Sequence, residues 1–99
     1  MGFFKNVNNG WKMRQALLPL AAADSEAQFR ALLPAAKSVG EQVWPSGQRR
    51  LVMPGSAKDA VLSAAAVPMA AENLLAAGQF IAAKQLVFTA IQKIDQMYG

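Results

Sequence analysis

Arg49 and Arg50 stand side by side, with Trp44 shortly before them, and they come nearest to a chemistry in this chain. Guanidinium groups grip phosphate oxygens and an indole stacks on bases, so the trio suits an anion or a nucleic-acid strand. Lys37, Lys58, Lys84 and Lys93 are dispersed rather than striped, so the pair lacks the basic track that a strand needs. Docking to an acidic patch on another protein is the stronger use of two loop arginines. The plainest reading is a solvated loop whose Trp44 plugs the core.

Other chemistry is thinner still. The chain has no His and no Cys, so the usual general base, thiol nucleophile and nitrogen or sulfur metal ligands are missing. Its six acids, Asp24, Glu26, Glu41, Asp59, Glu72 and Asp95, are scattered. Only Asp24 and Glu26 are close, and residues two apart on a helix do not face each other. Pro54-Gly55-Ser56-Ala57-Lys58 puts a glycine, a hydroxyl and a cation at a helix start, as an anion nest does. It lacks the full glycine-rich phosphate pattern and reads better as an ordinary cap. No catalytic, cofactor-binding or metal-binding residue is expected, no small-molecule substrate is implied, and the chain does not read as an enzyme.

The elements that would carry such residues are helices. Ninety-nine residues make one domain, near the lower end of what folds alone. The chain is 54% hydrophobic and 16% charged with a mean hydropathy of +0.18, and much of its apolar share is alanine, which buries little area. A thin core with few surface charges points to assembly with a partner or to a membrane contact. The net charge of +4 permits anionic partners without demanding them. No cleavable signal is visible at Met1–Arg14, which leaves a cytoplasmic or virion-associated location as the expectation.

In chain order, 1–23 is an amphipathic, locally basic segment. Phe3, Phe4, Val7, Trp11 and Leu18 share a face at helical spacing, and no acid precedes Asp24. Phe3, Phe4 and Trp11 are expected to pack on the chain's own core or on a partner; an anionic membrane surface is the alternative. Asn8-Asn9-Gly10 is a turn signal that would delay the helix to Trp11. Ala16-Leu17-Leu18-Pro19 recurs as Ala31-Leu32-Leu33-Pro34, with a fainter copy ending in Pro68-Met69-Ala70-Ala71. Proline opens helices and disrupts their interiors, so Pro19, Pro34 and Pro68 are each expected to mark a corner.

Ser25 and Gln28 have the form of a capping box that opens a helix through Phe29, Leu32, Leu33 and Ala36 to about Val43, with Gly40 a weak spot. An irregular loop follows over 44–56, in which Leu51-Val52-Met53 is too short to form a sheet. Ser56 and Asp59 read as the cap of a helical half over 57–98. The uncharged run at Ala60–Ala83 is broken by Pro68, Glu72, Asn73 and Gln79, and a close helix pair fits it better than a membrane span.

From Pro68 to Tyr98 a single straight helix would be roughly 46 Å long, too long for a small domain, so it either breaks or kinks near Gly78 or projects towards a partner. Its last turns carry an apolar stripe, Leu86, Val87, Ala90, Ile91, Ile94, Met97 and Tyr98. Ile91 and Ile94 are expected to face either the first helix or a second copy of the chain.

The fold expected is therefore all-α: a small bundle of four to five helices with proline-marked corners and a long carboxyl-terminal helix. The function expected is a non-catalytic structural or adaptor subunit that buries apolar surface in a larger assembly, a virion or phage component being one such setting. Its expected contacts are Phe3, Phe4, Trp11, Arg49, Arg50, Ile91, Ile94, Met97 and Tyr98. A protein partner or a homo-oligomer leads, a peripheral membrane role through the amino-terminal helix follows, and anion or nucleic-acid binding through Arg49 and Arg50 comes last.

Overall fold

The computed structural model describes residues 2–45 and 57–98, and the side-chain surroundings of 8–45, 61 and 63–97. Four helices follow one another: α1 (Gly2–Ala21), α2 (Glu26–Val43), α3 (Ala57–Ala76) and α4 (Phe80–Tyr98). No strand occurs among the described residues. The fold is all-helical, and its four helices fall within the expected count. The loop tip with Arg49 and Arg50, the Leu51-Val52-Met53 stretch and Ser56 lie outside the described residues.

The prolines do not mark the corners. Pro19, Pro34 and Pro68 all lie inside helices. A proline within a helix leaves the carbonyl four residues earlier without its amide donor. Pro19 and Pro34 are exposed, as are Gln15 and Arg30 four residues before them, so those carbonyls face the solvent side. Water can satisfy them there, and the helices run on.

The real ends carry their own caps. After α1, Lys84 Nζ donates to the Ala23 carbonyl, 2.8 Å away, in the short link to α2. Ser25 then caps α2: its Oγ accepts from the Gln28 amide at 3.2 Å. The Gln28 side chain reaches back to the Asp24 amide at 2.8 Å, one residue before the cap, so the capping box is present but displaced by one.

The break between α3 and α4 is complete. Gly78 has φ +75°, the left-handed conformation that a helix stop needs and that glycine adopts without strain. The Gln79 amide donates to the Leu74 carbonyl at 2.8 Å, and the Gly78 amide donates to the Leu75 carbonyl at 2.9 Å. This crossed pair is the Schellman stop. A long carboxyl-terminal helix therefore does not form; two helices meet at Gly78 and pack on each other. The blurred apolar pattern of that stretch is explained as well, because the helical phase restarts at Phe80.

The core draws on all four helices: Met13, Leu17 and Leu20 from α1, Phe29, Leu33 and Ala36 from α2, Ala64, Ala65, Val67, Ala71 and Leu75 from α3, and Ala83, Val87, Ala90, Ile91 and Ile94 from α4. Phe29 and Phe80 meet edge to face, with ring centroids 5.6 Å apart. Gly40 is buried where α2 crosses α3, and a Cβ there would overlap the Ala65 carbonyl oxygen. It is a contact point between backbones rather than a weak spot. The radius of gyration is 12.7 Å, the size of a packed chain of this length.

Candidate interaction surface

The expected contact residues divide into inside and outside. Ile91 and Ile94 are buried in the chain's own core, so of the two packing partners expected for them the structure supplies the one within the subunit. Side chains so buried offer nothing for a partner to touch. Met97 is exposed, while the Phe3, Phe4 and Tyr98 side chains lie outside the described ones.

α1 is helical from Gly2 through Asn8-Asn9-Gly10, so the turn signal there is overridden. Among its described side chains Met13, Leu17 and Leu20 are buried, as is Gly10, while Leu18 is half-buried. Trp11 is 49% exposed. Trp11 and Met13 are two residues apart and so lie on different sides of the helix, and of the two it is Met13 that is buried.

Trp11 is nevertheless held in place. The Arg14 guanidinium lies over its ring, 5.5 Å from the centroid, and Arg14 Nε donates to Asp95 Oδ1 of α4 at 2.7 Å. Trp11 also lines an open cleft of about 820 Å³ between α1 and α2. Asn8, Asn9, Lys12 and Gln15 line it from α1, Val39 and Gln42 from α2. Amides dominate its polar lining, and no acid is present among the described residues that line it.

The other charges act mainly as ties. Lys37 Nζ donates to both Glu72 carboxylate oxygens, at 2.9 and 3.1 Å, joining α2 to α3. Lys84 also lies over the Phe80 ring, 5.9 Å from its centroid. Arg30 pairs with Glu26 one turn earlier on α2 at 3.1 Å. Among the described residues no polar or charged side chain is buried, and no cluster of acids is placed to hold a metal ion.

Large apolar side chains remain outside. Ile81 is 71% exposed and Phe88 is 49% exposed, seven residues apart on the outer side of α4; Met69 on α3 is also exposed. These residues escaped the sequence reading because Ile81 looked like part of an all-round apolar helix. Their spacing of seven to each other and to Asp95 was the available signal. No described helix is long and apolar enough to cross a membrane. Comparisons of the chain with protein-family models, with curated proteins and with solved structures give no match in any of the three.

Proposed function

We propose that the chain is a non-catalytic helical subunit or adaptor that meets a protein partner through apolar surface its own fold leaves uncovered. One observation carries this reading: Trp11, Ile81 and Phe88 stay exposed on a bundle whose core is already closed by other residues. Burying a large apolar side chain stabilises by about 1.5–3 kcal/mol, so a partner that covers all three gains substantially.

The charge arrangement favours a protein over an anionic membrane. Arg14, one of the cations of α1, is already matched by Asp95, which weakens the pull of that helix towards acidic lipid. Binding of anions through Arg49 and Arg50 is the remaining alternative and has its own signature, a steep loss of affinity as salt rises.

The test is the native size of the chain in an extract of cells that make it, by gel filtration with immunodetection. The reading expects elution well above the 10.6 kDa monomer, unchanged by nuclease or detergent. Elution as a free monomer would contradict it. Loss of the large species with nuclease or detergent would move the assignment to nucleic acid or membrane.

A further inference from the structure

Two contacts fix how α1 and α4 lie. Arg14 touches Asp95, and Ala23 touches Lys84, so as α1 advances α4 runs back: the two helices are antiparallel neighbours. On α4, Ile81, Phe88 and Asp95 follow one another at intervals of seven, hence along one stripe. On α1, Trp11 and Leu18 are likewise seven apart, and Arg14 lies between them. The Arg14–Asp95 pair joins the stripes. Trp11, half-buried Leu18, Phe88 and Ile81 therefore belong to one outward face spanning the α1–α4 seam.

We infer that this face binds a second copy of the same chain across a two-fold axis. The inference deepens the subunit reading by naming its partner. Charge is the first argument. The two ions of the face neutralise each other, Lys84 is engaged with a backbone carbonyl, and the exposed residues between are the amides Gln85 and Gln92. Among the described residues, exposed Lys12 at the edge beside Trp11 is the charge left over, so the face offers little for acidic lipid or a charged partner to match. It is compatible with itself, because an amide both donates and accepts and so can pair with its own copy.

Area is the second argument. Two helices of about 28 Å, side by side at about 10 Å, present roughly 550 Å² per chain. A pair would bury about 1,100 Å², at the lower bound for a specific interface and in the range of weak, transient contacts.

Sedimentation velocity of the purified chain from about 1 to about 100 μM tests this, that range suiting a weak, transient contact. The wild type should pass from monomer to dimer. Ile81→Asp and Phe88→Asp, alone and together, place like charges against each other across the axis, and the double variant should raise the dissociation constant at least about tenfold. Ala70→Asp, at an exposed position on α3, should leave dimerisation unchanged. Far-UV circular dichroism checks that each variant is folded, and Ile81→Asp alone carries the test if the double variant is not.

A wild type that stays monomeric throughout overturns the inference. So does a folded double variant that dimerises like the wild type, or a monomer that instead sediments with vesicles of acidic phospholipid. If the purified chain is monomeric yet migrates in a larger species in the extract, the second-copy inference fails while the subunit reading stands.

Discussion

Gly40 and Gly78 have nothing in common but their side chain. Gly40 lacks room: α3 backbone occupies the space where its Cβ would go. Gly78 has room, since beyond its chain neighbours no atom lies within 4 Å of an added Cβ, but its φ of +75° is left-handed. Gly40→Ala should thus cost about 1–3 kcal/mol through overpacking, although alanine is the better helix former. Gly78→Ala should cost about 1–2 kcal/mol through backbone strain alone. Urea unfolding measures both. The two are told apart by Gly78→Asn, which should recover part of the loss because asparagine tolerates the left-handed region. Gly78 could be read from the sequence as a stop, since local chemistry decides it. The role of Gly40 could not, because it depends on a segment of α3 remote in sequence.

At the scale of elements, caps were legible and prolines misleading. Ser25 and Gln28 announce the start of α2, and the structure puts them to that use with one hydrogen bond displaced. Ser25→Ala should cost about 1 kcal/mol, read as a lower urea midpoint at constant slope. Pro19, Pro34 and Pro68 looked like corners because their local cost is high; helix continuity through them reflects tertiary packing, to which propensity yields. Pro34 sits exposed in the middle of α2, so the cost of its missing amide is borne for no visible contact. Pro34→Ala should stabilise the chain by about 1–2 kcal/mol, the restored hydrogen bond and better propensity outweighing the freer unfolded state. A fall in stability would mean that the α2 backbone is bent at Pro34 in a way the core needs. α1 shows the opposite difficulty. Its apolar residues Trp11 and Met13 lie on different sides, and periodicity alone does not say which side a neighbour covers.

For the whole molecule, composition was a fair guide to class. The alanine-rich, lightly charged chain folds as a closed helical bundle, with interhelical ties from Arg14–Asp95, Lys37–Glu72 and Lys84. An exposed pair such as Arg14–Asp95 contributes about 0–1 kcal/mol, so the fold rests on its core rather than on such ties. What the sequence hid was the sidedness of α4. Ile91 and Ile94, expected to face either the first helix or a second copy, lie in the chain's own core, and the side with Ile81 and Phe88 faces out. That sidedness is what the proposed subunit role and the two-fold contact both stand on. The direct test is urea unfolding of Ile94→Asp beside Phe88→Asp, at a concentration low enough to keep the wild type monomeric. Ile94 is 2% exposed, and a charge there should cost about 3–5 kcal/mol, a large fraction of what holds so small a domain together. Phe88→Asp should leave the unfolding free energy within about 0.5–1 kcal/mol of wild type, as surface changes do. A stable Ile94→Asp together with an unfolded Phe88→Asp would mean that α4 is turned the other way, and would contradict the account.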